Sequence, residues 1–184
     1  MEKFKTEKVD DLNYGSKSAI YQDGMREQLD WIRRQLQYYS FSDKYRLKYN
    51  LKRGEIYEID FGINVNAEFS NRHFGVVLAD SDANNPLVTV CPLKSNKGSV
   101  NSRSDVDLGQ VKDLRSINST VAVVNQIRTV DKLRIYMKRS ICRPIYHLSD
   151  SDYVTNDTIM RLENDKMNMI INAYLSYING KRIE

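Results

Sequence analysis

The sequence has no apolar run near the roughly 18–20 residues that a membrane span requires. Its first residues, Met1-Glu2-Lys3-Phe4-Lys5, lead into polar sequence without the apolar core of a signal peptide. A cytoplasmic location with no membrane association is therefore expected. Cysteine is scarce: the only two, Cys91 and Cys142, lie far apart in apolar settings. In such a setting they are expected to be buried thiols, and no disulfide is expected. The two histidines, His73 and His147, have neither HExxH nor Cys/His spacing around them. No metal site and no cofactor is expected. Charge of one sign is not in large excess either. Lysine and arginine total 28 against 24 acids, a net of +4, which permits nucleic-acid binding only if the cations cluster.

At 184 residues the chain suits one domain, or one domain with an appendage. Residues 1–20 are polar and without clear period, and read as weakly ordered. Between about 22 and 47, Leu29, Ile32, Leu36 and Tyr39 recur at helical spacing, with arginines and glutamines between them. This predicts an amphipathic helix, with Asp23 as its N-cap. Its apolar stripe requires a covering surface, in its own domain, in a dimer partner, or over a binding groove that the helix would regulate. Composition changes near residue 50, which divides an N-terminal extension, 1–50, from a domain at 51–184.

That domain reads as short strands. Residues 52–61, Lys-Arg-Gly-Glu-Ile-Tyr-Glu-Ile-Asp-Phe, alternate cleanly after a glycine turn. Phe74 to Ala79 is a buried strand, and Leu87 to Leu93 is another whose ladder is expected to end at Pro92. Further short strands are expected at Asp105–Leu108 and Ile141–Ile145. A helix from about Thr155 to Ile178 closes the chain, with Asn179-Gly180 as its stop.

The central stretch is Val121 to Ile135. A β-branched run, Val121 to Val124, reads as a buried strand. Gln126 and Arg128 then follow at spacing two, which in a strand puts both on one face. An amide beside a guanidinium suits an anion or a nucleic-acid backbone. The alternative is an edge strand with a solvated outer face.

Asn125-Gln126-Ile127-Arg128-Thr129-Val130-Asp131-Lys132-Leu133-Arg134-Ile135 resembles the "EQIRTIDKxRL" segment of the MazF/PemK family, the toxin half of many bacterial toxin–antitoxin pairs. Arg53 to Gly62, "RGEIYEIDFG", resembles that family's opening strand. The resemblance covers about residues 51–178. It implies a mainly β, α+β fold, an SH3-like small barrel with a C-terminal helix. It also implies a homodimeric endoribonuclease that cuts single-stranded RNA without metal, and a cognate antitoxin that blocks the groove. The reaction needs a proton acceptor for the 2′-hydroxyl, a proton for the leaving 5′-oxygen, and cations at the phosphoryl oxygens.

Carried over by position, the family's arginine before the second strand falls on His73, or one step earlier on Arg72. Histidine could exchange protons where arginine serves mainly as a cation. The family's Thr or Ser at the end of the next strand falls on Lys94, with Ser95 following. Lysine can stabilise phosphoryl charge but offers no hydroxyl. Gln126 and Arg128 fall on substrate-contacting positions, and Phe69, Asn71 and Phe74 complete the candidate contacts. The Lys94 departure leaves two rivals: a catalytically inactive relative that binds RNA or protein, and a CcdB-like toxin directed at gyrase.

Overall fold

A computed structural model describes residues 14–41, 49–98, 100–112, 114, 118–136 and 159–181. The chain divides into two units, Met1–Tyr39 and Ser40–Glu184.

The first unit holds all but the last two residues of α1, Tyr14–Phe41. It begins earlier than the amphipathic pattern indicates, so Asp23 lies inside the helix and cannot cap it. The expected continuation to residue 47 lies outside the described residues. Within α1 the Arg34 guanidinium sits 5.5 Å from the centre of the Trp31 ring. The stripe of Met25, Leu29, Ile32, Leu36 and Tyr39 is exposed.

The second unit is an antiparallel α+β fold. Its strands are β1 Glu55–Asp60, β2 Arg72–Val77, β3 Leu87–Ser95, β4 Asp105–Asp107, β5 Thr120–Val123, β6 Arg128–Asp131, β7 Ile135–Tyr136 and β8 Met160–Arg161, followed by α2, Asn164–Ile178. Strand β1 pairs with β2, and β2 with β3. Strand β6 runs along the far edge of β3 while β7 pairs with β1. Only the 3-10 turn Lys132–Arg134 separates β6 from β7. The chain thus passes from the β3 edge to the β1 edge and closes the curled sheet into a small barrel.

Alternation sorts the side chains into two cores. Tyr57, Ile59, Phe61, Val77, Val88, Val90, Val130 and Ile135 fill the barrel. Ile56, Val76, Cys91, Leu93 and Ala122 point the other way, against Met167, Ile170 and Ala173 of α2. Gly75 faces the barrel interior, where an added Cβ would lie 2.7 Å from Ile59 Cδ1. A larger residue there would force Ile59 Cδ1 to move within the packed barrel.

Three sequence expectations need correction. The ladder does not end at Pro92, because β3 continues to Ser95. Along one edge its partner changes from β6, with Val90 opposite Arg128, to β5, with Leu93 opposite Ala122. The missing proline N–H falls at that change, where no bond is lost. The strand through Gln126 is broken, since Val124–Gln126 is a 3-10 turn. Finally, α2 starts at Asn164. Ile159 instead packs on the barrel core, and Leu162 is buried in the core beneath α2. The intervening Met160–Arg161 forms β8 against β1. Gly180, at φ +68, ends α2 as expected. The segment Ile141–Ile145 and Cys142 lie outside the described residues.

Candidate functional site

One mouth of the barrel is formed by the end of β1, the 62–71 connection, the start of β2, and the segment from Val124 to Arg134. The connection is tied at its base: Phe61 N–H donates to Asn71 O at 2.9 Å, and Asn71 N–H to Gly62 O at 2.6 Å. Asn71 adopts φ +63, which its side chain tolerates better than most. Inside the loop, the Asn64 amide donates to Phe61 O at 3.1 Å and Phe69 O at 2.8 Å. These bonds deliver Phe69 to a fixed place.

Phe69 meets Phe61 edge-on, with ring centres 5.3 Å apart. Its other neighbour is His73, whose ring centre is 4.5 Å away. His73 remains open to solvent on β2. The His73 pKa is lowered from its ordinary value, first by burial and then by the positive charge of Lys97. The imidazole is therefore neutral at neutral pH and available as a proton acceptor.

Gln126 and Arg128 close the other side. Gln126 Oε1 accepts from Arg128 at 2.8 Å and from the Phe69 backbone N–H at 3.3 Å. The two side chains meet as strand spacing suggested, although a 3-10 turn brings them together. The Arg128 guanidinium lies 5.6 Å from the Phe61 ring centre. Burial acts against its charge, the Glu68 carboxylate supports it, and neighbouring Arg134 opposes it. Arg134 also donates to Phe61 O at 3.4 Å.

The remaining candidates divide. Arg72 is exposed at the β2 start, opposite Asp60. Phe74 packs on the core beneath α2, on the face opposite His73. Lys94 is half-buried, and its ammonium is bound to the buried Asp105 carboxylate at 2.7 Å. That carboxylate also accepts from Asn101 N–H at 3.0 Å. Ser95 is exposed at the end of β3, paired with Thr120. The structure therefore unites His73, Phe69, Gln126 and Arg128, whereas Lys94 is engaged elsewhere.

Sequence reasoning missed Phe61, Lys97, Arg134 and Glu68. Arg134 sits inside the "DKxRL" resemblance and was legible there. Phe61 lies within the Arg53–Gly62 resemblance, while Lys97 and Glu68 carried no signal, because only the fold brings them to the mouth. Among the described residues, no group of three His, Cys, Asp or Glu is placed to hold a metal ion. No helix among them is long and apolar enough to cross a membrane.

A family model described as PemK-like, MazF-like toxin of type II toxin–antitoxin systems matches residues 52–170. No match is found among curated proteins. Similar solved structures include the following two. A MazF from Deinococcus radiodurans is 16% identical, with 71% of this chain and 98% of that chain covered and a TM-score of 0.46. An endoribonuclease in complex with its cognate antitoxin, from a mycobacterial species, is 14% identical. It covers 70% of this chain and 95% of its own, with a TM-score of 0.43.

Proposed function

Because this chain belongs to the family of PemK-like, MazF-like toxins of type II toxin–antitoxin systems, we propose that it is an endoribonuclease acting on single-stranded RNA at the barrel mouth. The observation that carries this reading is the contact of His73 with the Phe69 ring, beside the Gln126–Arg128 pair. An aromatic ring offers a stacking surface for an unpaired base. Neutral His73 accepts the 2′-hydroxyl proton as that oxygen attacks the adjacent phosphorus. The P–O5′ bond breaks, and the departing 5′-oxygen takes a proton from protonated His73 or from solvent. The products are a 2′,3′-cyclic phosphate and a free 5′-hydroxyl. Arg128 and Lys97 offset the charge that builds on the phosphoryl oxygens. DNA lacks the attacking hydroxyl and should be inert.

In this reading the protein groups supply the chemistry without a metal, the active species is a homodimer, and an antitoxin segment regulates the mouth. The test is cleavage of a long single-stranded RNA in EDTA by wild type and His73→Ala. Cutting at a short preferred sequence, reduced about 10²-fold or more in the variant, is the expected result. Cleavage that is untouched by His73→Ala removes His73 from the mechanism.

A second reading has its own observation. Lys94 stands where the resemblance leads one to expect a hydroxyl, and its charge is already matched by Asp105. A protein that binds RNA without cutting it fits that arrangement. Retained RNA binding with no cleavage by wild type would select this reading.

A further inference from the structure

By its place in the Asn125–Ile135 segment, Gln126 is expected to touch substrate. In the folded chain its amide oxygen is engaged by the protein itself. It accepts from Arg128 Nη2 at 2.8 Å and from the Phe69 backbone N–H at 3.3 Å. An amide oxygen offers two acceptor lone pairs, and these two donors fill them. They also fix which way the amide points, because neither partner could accept from its NH2 group.

The two donors come from opposite walls of the mouth. Phe69 belongs to the 62–71 connection, and Arg128 opens β6. Gln126 ends the 3-10 turn Val124–Gln126 and stands between them. The Phe69 peptide is held at both of its polar groups by side-chain amides. Its carbonyl accepts from Asn64 Nδ2 at 2.8 Å, a bond within the connection that shapes the loop. Its N–H donates to Gln126, a bond that joins the loop to the other wall. Phe61, 1% exposed, supports both partners: the Phe69 ring meets it edge-on, and the Arg128 guanidinium lies 5.6 Å from its centre. Phe61, Phe69, Gln126 and Arg128 thus form a closed circuit of contacts. Phe61 is fixed in the barrel core, and Gln126 ties the ring and the cation to each other. Holding one nitrogen of a planar guanidinium also sets how its other donors are presented.

We propose that Gln126 is a positioning residue: it sets the Phe69 ring against His73 and the Arg128 guanidinium beside them, and it does not itself read the RNA. Its effect on cleavage rests on the ribonuclease reading, whereas its hold on the ring does not. A ring and a cation already in place need not be ordered at the reacting phosphate.

The test reads these two parts separately in the full chain. In the RNA-free protein, at about pH 8 where an ordinary histidine is neutral, the Phe69 ring current displaces the His73 ring-proton signals. Phe69→Leu identifies those signals by moving them. Gln126→Leu should move them most of the way to their Phe69→Leu positions, while signals remote from the mouth stay in place. Gln126→Asn has the same amide on a side chain one methylene shorter; it should act in the same direction and serves if Gln126→Leu does not fold. Gln126→Glu keeps an acceptor oxygen at the same reach and should leave the His73 signals near their wild-type positions. Signals unmoved by Gln126→Leu and Gln126→Asn overturn the proposal, and so do signals moved equally by Gln126→Glu. With a long single-stranded RNA at saturation, Gln126→Leu should lower the single-turnover rate about tenfold and leave the preferred cut sequence unchanged. A weaker affinity or an altered cut sequence at an unchanged saturating rate makes Gln126 a substrate contact and overturns the positioning role. If the wild type does not cut, the ribonuclease reading falls, and the His73 signals still decide whether Gln126 places the ring.

Discussion

At the scale of single residues, the mouth depends on how neighbours set charge. His73 has a lowered pKa in the folded chain, so folding disfavours its protonated form. Its contribution to stability is present above the ordinary histidine range and is lost as pH falls below about 6.5. Cleavage should follow the neutral imidazole, so the acid limb of the pH profile should lie below 6.5. Lys97→Gln removes one of the two causes of that shift and should move both the limb and the His73 ring titration upward. Two-dimensional NMR can read this directly, because the chain has only two histidines. A second residue-scale case is Lys132. It is 1% exposed, and its ammonium donates to Tyr49 O at 3.0 Å, Asp82 O at 2.7 Å and Ser81 O at 3.4 Å. Lys132→Met should cost about 2–4 kcal/mol in denaturant unfolding, because it leaves buried carbonyls without donors. Cys91 is fully buried and its thiol is pushed up to about 12. It should resist alkylation until the chain unfolds.

At the scale of elements, two connections govern the geometry. Asn64 holds the 62–71 loop through two amide bonds, and through it Phe69 against His73. Asn64→Ala should leave the barrel folded yet lower the cleavage rate roughly tenfold, since losing two hydrogen bonds of about 1 kcal/mol each is enough to misplace the ring. Single-turnover kinetics beside a thermal melt would separate the two effects. The approach of β1 to β2 rests on Gly75. Gly75→Ala should destabilise the protein by about 1–3 kcal/mol through overpacking. Ile59→Val removes the Cδ1 atom that the new methyl meets, so the double variant should recover part of that loss. Additive losses would show that the strain lies elsewhere.

At the scale of the whole molecule, a net charge of +4 is too small to make the entire surface attract RNA. If the mouth binds RNA as proposed, the cations gathered there must carry the binding, and Arg72, Lys97, Arg128 and Arg134 are the candidates. If three or four of them meet phosphates, log affinity should fall with log salt at a slope of roughly −2 to −3, given about −0.7 per contact for single strands. Arg128→Gln should flatten that slope by about 0.7. A slope unchanged by the substitution would place Arg128 away from the backbone.

The sequence alone determined the pieces whose cause is local. Alternation in 52–61 set β1 and the two faces it separates, the Asn179-Gly180 stop ended α2, and the Gln126–Arg134 motif marked the segment that lines the mouth. Apolar periodicity and turn chemistry act between near neighbours, so a single sequence carries them. Tertiary structure decided what depends on residues far apart in the chain. It placed a proline inside β3, where the edge partner changes. It broke the strand at Val124–Gln126 and still joined Gln126 to Arg128. It also paired Lys94 with Asp105, and brought Phe69 and Lys97 to His73. Whether a cation is committed to an ion pair, or a ring covers an imidazole, is settled by which strands lie side by side, and residue order does not encode that locally.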